Sequence, residues 1–327
     1  MSLAQDDSFL QFQNSLSLEF YESLGRGFNV NANEVSLVQG LVDTANDKSY
    51  GSLRLSANML HGSRSYVEFN HRDKPVTKEL GDLAVISLVT RGRVRLLQKL
   101  CIIQNKKTSG NNWSIDSEQL FLLKNFPPFS GNKGIFKGCR DIAFKNTSGC
   151  LGMFGLMKDP GEMILVSAPV LSGFMGSKKS ISLDDLSFPA GLQSHHVSFG
   201  NSGFLGWTLA FHFHPKELNM LWDELMHYGH PGNMIGGTGG QGFLTNCLYC
   251  LDMYDFSRAW TQLNLGEITC FNNSATNQYE DAFAGFLLRS AGMSDIPSGP
   301  GDNVFGDRKF NGILALFVMH LDLEGEK

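Results

Sequence analysis

The sequence predicts an α/β fold in which helices flank a mixed β-sheet, followed by a second domain of α+β type. Short runs rich in Val, Ile and Leu and bounded by Gly or Pro are typical of buried strands. Between them, apolar residues recur at the spacing of one helix face. A chain of 327 residues with 42% hydrophobic content can bury the cores of two domains.

The amino-terminal part predicts two helices. Residues 8–24 place apolar side chains at near-helical spacing and the pattern ends before Gly25. A second helix is predicted over residues 33–45, with Asn33 as its N-cap. Partial alternation within residues 50–70 indicates one or two strands that lead into the next element.

A β-hairpin is the central predicted element of the first half. The runs Leu83–Val89 and Leu96–Ile103 have the length and composition of buried strands, and a turn around Gly92 joins them. The elements predicted next are a helix that Ser114 or Asp116 can cap, which ends at Pro127-Pro128, and short strands at residues 141–144 and 163–166.

A change in composition indicates a domain boundary. From about Ser172 the chain has the Gly- and Ser-rich character of a linker, and the following residues are rich in Phe, His, Trp and Gly. We therefore expect domains over residues 1–175 and 176–327. The elements expected in the second are a strand at Leu205–His214, helices at Pro215–Tyr228, within Gly242–Leu263 and at Tyr279–Ala291, and a carboxyl-terminal buried strand.

Composition and sequence pattern together predict where in the cell the protein is located. No apolar run approaches the ~20 residues that span a bilayer, so we expect no membrane segment. The first residues have neither the basic nor the apolar region of a signal peptide. The six cysteines are irregularly spaced, which is typical of reduced thiols. These observations predict a cytoplasmic protein.

Three polar residues stand where the hairpin strands should be apolar. Asp82 opens the first run, and Gln104 and Lys106 close the second. Residues i and i+2 of a strand point to the same face, so Gln104 and Lys106 project side by side and the hairpin can bring Asp82 across from them. Burying such groups together is unfavourable unless a site uses them. The alternative is a hairpin whose Asp82 caps a turn and whose Gln104 and Lys106 simply leave the core.

The residues Asp82 and Gln104-Asn105-Lys106 resemble the motif of the PD-(D/E)XK nuclease superfamily, in particular the Mrr-like restriction endonucleases, which carry Gln in place of the second acid. The resemblance extends over about residues 30–170, where the order helix, strands, helix, strand matches the superfamily core. It implies a restriction-endonuclease-like core, metal-dependent cleavage of DNA phosphodiester bonds, and a role in restriction or defence against foreign DNA.

The resemblance also implies roles for individual residues. Asp82 would anchor Mg²⁺ or Mn²⁺, and the Gln104 side chain and the Asn105 carbonyl would add neutral oxygens. Lys106 would orient the nucleophile or offset charge on the phosphate. Glu34 is a candidate for a further metal-site acid, because in the superfamily the helix before the core sheet often supplies one. The helix dipole equally favours a carboxylate at that position.

A basic patch predicts where nucleic acid would bind, with DNA as the expected partner. The net charge of −5 is not typical of a nucleic-acid-binding protein, so this local patch carries the prediction. A solvated hairpin tip is the alternative interpretation. A homo-oligomer is compatible with the sequence. The residues of the patch are Arg91, Arg93, Arg95, Lys99 and Lys107.

Two other groups have metal-ligating side chains. His212 and His214 share one face of a predicted strand, which would allow metal ligation and a hydrolase centred on them. Cys247 and Cys250 form a single CxxC in an apolar, helix-like context. We predict that they are not a structural zinc site, because no second CxxC is present.

An alternative function stays open. The chain could be a catalytically inactive nuclease-like fold that serves as a nucleic-acid-binding or assembly module.

Overall fold

The computed structural model describes residues 7–60, 66–132, 137–146, 149–186, 196–198, 245–271, 273–293 and 315–323. The two predicted helices are present as α1 (Asp7–Asn29), which continues past the end predicted before Gly25, and α2 (Glu34–Ala45). The side chain of Asn33 caps α2, because its Oδ1 accepts a hydrogen bond from the Ser36 N–H at 2.9 Å.

Among the described residues, the largest sheet has ten strands and is mixed. The strand order is β1 (Lys48–Tyr50), β2 (Leu53–Met59), β17 (Ala315–Asp322), β5 (Leu83–Arg91), β6 (Val94–Thr108), β9 (Gly152–Lys158), β10 (Glu162–Ser167) and β14 (Tyr249–Cys250), while β15 (Glu267–Phe271) pairs with β6 and β16 (Ser274–Ala275) pairs with β15. The pairs β17–β5 and β6–β9 are parallel, and the other neighbouring pairs are antiparallel.

Helices cover both faces of this sheet. Residues of α1, α2 and α5 (Met253–Thr261) pack in the apolar core on one face. Residues of α3 (Ser117–Asn125), α4 (Ala168–Met175) and α6 (Gln278–Ser290) pack in the core on the other. The predicted α/β class, with helices flanking a mixed sheet, is therefore confirmed. No helix among the described residues is both long enough and apolar enough to cross a membrane.

Smaller sheets complete the described structure. One has three strands, in the order β4 (Lys74–Glu79), β3 (Tyr66–His71) and β8 (Phe129–Gly131). Two others are strand pairs, β7 (Asn112–Ser114) with β11 (Ser180–Ser182), and β12 (His196–Ser198) with β13 (Thr245–Cys247).

The large sheet crosses the predicted domain boundary. The strands β14, β15 and β17 all follow residue 175, and β17 lies between β2 and β5. The expected division into residues 1–175 and 176–327 therefore does not describe this arrangement, and the structure corrects it. The physical reason is that β17 is a continuous apolar run, which is what a strand covered on both faces requires.

Two local predictions also differ from the structure. The linker expected from Ser172 begins inside α4. Residues 141–144 contribute only an isolated bridge between Ile142 and Phe129. The helix expected within Gly242–Leu263 is present as α5, which follows β13 and β14. The predicted strand at Leu205–His214 and helix at Pro215–Tyr228 lie outside the described residues.

Close contact between β9 and α3 depends on Gly152. A Cβ atom at this position would lie 2.2 Å from the Leu123 carbonyl oxygen, so an alanine would push strand and helix apart. We expect Gly152→Ala to lower the free energy of unfolding by about 1–3 kcal/mol. The control is Gly173→Ala in α4, where a Cβ meets open space and should add up to about 1 kcal/mol. Urea denaturation compares them, and equal stabilities of the two variants would contradict the expectation.

Candidate functional site

The site forms where β6 extends past the end of β5. Pairing between these strands stops at Leu83 opposite Ile103, while β9 continues along the other edge of β6 as far as Thr108. The Asp82 N–H donates to the Ile103 carbonyl at 2.9 Å, which shows that Ile103 directs its peptide groups toward the β5 edge. Because peptide direction alternates along a strand, Asn105 and Lys107 direct their N–H and C=O groups to the same edge.

Two carboxylates take the place of the missing strand. Asp82 Oδ2 accepts a hydrogen bond from the Asn105 N–H at 2.7 Å, and Glu34 Oε1 accepts one from the Lys107 N–H at 2.9 Å. The Gln104 Nε2 group also donates to Asp82 Oδ2. These contacts satisfy main-chain donors that would otherwise lack a partner. Asp82 thus contacts Gln104 and Asn105, and Glu34 binds the same edge of β6 two residues further along.

Each of these carboxylates has a second oxygen. Among the described residues, Asp82 Oδ1 and Glu34 Oε2 accept no hydrogen bond, since the bonds above all go to Oδ2 and Oε1. Along the strand the Asn105 carbonyl lies between the two main-chain donors and points to the same edge. The edge therefore combines two carboxylate oxygens and a carbonyl oxygen, which are donors that Mg²⁺ and Mn²⁺ accept.

Lys106 lies on the same face of β6 as Gln104, and its side chain is half-buried. Within the part of the chain that the structure describes, its ammonium makes no hydrogen bond or ion pair. It nevertheless acts electrostatically on the pKa of Asp82. A partly buried ammonium next to a carboxylate, and without another partner there, is available to a ligand.

The environment strongly perturbs Asp82. Burial raises the pKa of its carboxyl group to about 7. The hydrogen bond from the Asn105 N–H and the charge of Lys106 act in the opposite direction, while the charges of Glu79 and Glu34 raise the pKa further. A carboxyl group that titrates near neutral pH, beside other acids, is typical of functional sites.

Glu79 is a further acid near Asp82 that the sequence pattern did not indicate. Glu79 ends β4, and its carbonyl accepts a hydrogen bond from Gln119 Nε2 at 2.9 Å. Among the nearby charges, it affects the pKa of Asp82 more than Lys106 or Glu34 does. Its only sequence signal is a position three residues before Asp82, and the path of the intervening turn at Gly81 could not be predicted from local pattern.

The basic residues at the hairpin tip lie far from the acids. Arg93 is exposed, and Arg91 ends β5. Because β5 has nine residues, a rise of about 3.3 Å per residue puts its two ends roughly 26 Å apart. A phosphate bound at Arg91 or Arg93 would therefore lie at the opposite end of the hairpin from Asp82.

Arg95 and Lys99 correct the predicted nucleic-acid patch, because both are buried. Arg95 is 1% exposed and forms an ion pair with Asp281, 3.1 Å from Nη1 to Oδ1. Lys99 is fully buried and donates to the Leu263 carbonyl at 2.8 Å. Both faces of this part of β6 are covered, so charged side chains find partners inside the protein and cannot reach a phosphate.

Lys107 also differs from its predicted role. Its ammonium donates to Asn31 Oδ1 at 2.9 Å and to the Ala32 carbonyl at 2.6 Å. These bonds commit the side chain to the turn between α1 and α2. Lys107 was predicted to belong to a nucleic-acid-binding patch, but its ammonium is used in a contact within the protein.

The predicted His and Cys groups are only partly described. His212, His214 and the side chain of Cys247 lie outside the described residues. Cys250 is a buried cysteine in β14, so its context is a strand and not the expected helix. In the described ranges, no three His, Cys, Asp or Glu side chains are grouped to hold a metal ion. The edge of β6 could hold one only with main-chain or amide oxygens added to its carboxylates.

Comparison with known proteins adds no family assignment, since no protein-family model, no curated protein and no solved structure matches the chain. The chemistry of the site is therefore inferred from its donors. They are carboxylate, carbonyl and amide oxygens with one ammonium beside them. Such a set can bind a hard divalent cation and place a positive charge near an anionic substrate.

The raised pKa of Asp82 predicts how stability depends on pH. The folded protein keeps the Asp82 proton up to about pH 7, whereas an unfolded aspartate loses it near about pH 4. The folded state thus binds more protons in this window, and the free energy of unfolding falls as pH rises through it. In Asp82→Asn this contribution is absent, so the variant should lose less stability than the wild type between about pH 4 and pH 7.

Urea denaturation at a series of pH values measures the difference. Asp116→Asn is the control, because hydrogen bonds to Lys78, Gln119 and Glu118 outweigh burial and lower the pKa of Asp116. The Asp116→Asn substitution should change the pH dependence of stability only below about pH 4. Above that pH, the free energy of unfolding should decline as it does in the wild type. Parallel curves for the wild type and Asp82→Asn would show that Asp82 titrates normally in the folded protein.

Proposed function

We propose that this protein is a metal-dependent nuclease that hydrolyses DNA phosphodiester bonds, with a core of the restriction-endonuclease type. The observation that carries the proposal is the contact of Asp82 with Gln104 at the open edge of β6, near enough to Lys106 for its charge to act on the Asp82 carboxyl group. Glu34 reaches the same edge from α2. A mixed sheet with helices on both faces supports the assignment. The motif resemblance adds a role in restriction or defence against foreign DNA.

The residues that would hold Mg²⁺ or Mn²⁺ are Asp82, Glu34 and the Asn105 carbonyl. The Gln104 Nε2–H group donates a hydrogen bond to Asp82, so the carboxamide would offer its oxygen to the ion only after the side chain rotates. When bound, the ion polarises the phosphate and makes an attacking water more acidic. Gln104 is neutral, whereas an acid at that position would carry a negative charge. Glu34, with Glu79 nearby, supplies the missing negative charge.

Lys106 supplies the positive charge of the site. Its ammonium can hold the attacking water in place or offset negative charge that develops on the phosphate. Either role needs a side chain whose donors are not already used inside the protein. Lys106 meets this requirement within the described residues, and its neighbour Lys107 does not.

A nuclease-like fold without catalysis, serving as a nucleic-acid-binding or assembly module, is the second candidate. One observation favours it: Asp82 and Glu34 both satisfy main-chain N–H groups of β6. That use is purely structural and would keep the carboxylates in place without any reaction.

Plasmid nicking in Mg²⁺ or Mn²⁺ separates the two functions. We expect the wild type to nick DNA, and Asp82→Asn to lose that activity because the anchoring carboxylate is gone. Lys106→Met should lower the rate by about 10²-fold or more, because the charge beside the reacting phosphate is gone. Thermal melts check that both variants are folded.

Lys48→Met is the matched control for Lys106→Met, since Lys48 pairs with Glu19 at 2.5 Å on the surface. It should nick like the wild type. A wild-type protein that cuts neither DNA nor RNA with any divalent ion would favour the binding module. Variants at Asp82 and Lys106 that cut normally would place catalysis elsewhere in the chain.

A further inference from the structure

Lys107 holds the turn between α1 and α2 from two directions. Its main-chain N–H donates to Glu34 Oε1 at 2.9 Å, and its ammonium donates to Asn31 Oδ1 and to the Ala32 carbonyl. The ammonium also lies 5.4 Å from the centre of the Phe28 ring. One residue of β6 therefore contacts the last turn of α1, the connecting turn and the first turn of α2.

The connecting turn has little apolar burial, because Ala32 alone of its residues packs, half-buried, against the apolar core. The two valines on either side of it are exposed, Val30 by 77% and Val35 by 66%. The turn's own hydrogen bonds, from Asn31 N–H to the Phe28 carbonyl and from Ala32 N–H to the Gly27 carbonyl, connect it to α1. The polar contacts of Lys107 connect it to the sheet. Its charge is also favourable there, because the carboxyl end of a helix carries partial negative charge.

We propose that Lys107 is a positioning residue for Glu34 at the metal site. By holding the turn against β6, it keeps the Glu34 carboxylate at the open strand edge where Asp82 also lies. The inference rests on the proposed function, since it assigns a purpose to the position of Glu34. It gives the adjacent lysines different tasks: Lys106 faces the ligand, and Lys107 acts only through Glu34.

The experiment measures Mn²⁺ affinity by isothermal titration calorimetry, without any substrate. The variants are Glu34→Gln, Lys107→Met, the double variant and Lys107→Arg, with Lys48→Met as a control that removes a surface ammonium in contact with α1. Hydrogen exchange of the Leu37 amide, which donates to the Asn33 carbonyl at 3.0 Å, reports the order of the first turn of α2.

We expect Lys107→Met to weaken Mn²⁺ binding by about tenfold or more, in the range found for residues that orient metal ligands. The double variant should bind no more weakly than Glu34→Gln alone, because Lys107 acts only through Glu34. Lys107→Arg should recover most of the affinity, since arginine can still donate to both turn oxygens. Lys48→Met should bind like the wild type.

Two results would overturn the positioning role. One is unchanged Mn²⁺ affinity in Lys107→Met, including the case in which only DNA binding is lost. The other is a double variant whose loss is the product of the single losses, because Lys107 would then act independently of Glu34.

Failure of the proposed function gives a different result. If the wild type binds no Mn²⁺, the metal site itself is wrong, and amide exchange alone then tests the link between Lys107 and the turn. Faster exchange at Leu37 in Lys107→Met than in Lys48→Met would support that link. Equal exchange in the two variants would overturn it.

Discussion

The arrangement of the site follows from the need to satisfy the main-chain donors of β6 beyond the end of β5. Over Val94 to Ile103 the strand has β5 on one edge, with β15 and then β9 on the other. After Ile103 only β9 remains. Unpaired N–H groups are unfavourable when water is excluded. Asp82 and Glu34 provide the acceptors. Meeting this requirement places Asp82, directly before β5, and Glu34, the first residue of α2, at the edge of β6.

Charged residues in the middle of β6 illustrate a second constraint. The Arg95 guanidinium pairs with Asp281 of α6, and Gln98 joins the pair by accepting from Arg95 and donating to Asp281 and to Thr269 of β15. Removing one partner of a buried ion pair leaves an uncompensated charge, which is strongly unfavourable. The network thus requires α6 and β15 to stay in register with β6.

Local pattern predicted the elements whose determinants are close in sequence. The helix period indicated α1 and α2, and the period of two placed Gln104 and Lys106 on one face across from Asp82. Long-range pairing could not be predicted in this way. The position of β17 between β2 and β5 depends on residues separated by more than two hundred positions. The apolar run of β17 does not indicate which strands it pairs with.

The same limit explains the errors in the predicted patch. Arg95 and Lys99 form part of a basic cluster in the sequence, but their partners are Asp281 and the Leu263 carbonyl, more than 150 positions away. In the sequence, Lys107 could not be distinguished from Lys106 as a candidate for nucleic-acid binding. Its contact with Asn31 depends on where the turn between α1 and α2 lies in the fold. A basic residue in a buried strand is therefore weak evidence for nucleic-acid binding unless its exposure is known.

The structural use of Asp82 and its proposed chemical use are compatible because they involve different oxygens. Oδ2 accepts from the Asn105 N–H and from Gln104, and this holds the carboxyl group in place without using Oδ1. Glu34 repeats the pattern through Oε1. A ligand oxygen whose own carboxylate is anchored to main-chain donors has little freedom to lose when a cation binds. The strand end that needs two acceptors for its stability thus also prepares two oriented oxygens, and the capping interpretation and the metal-site interpretation describe the same arrangement.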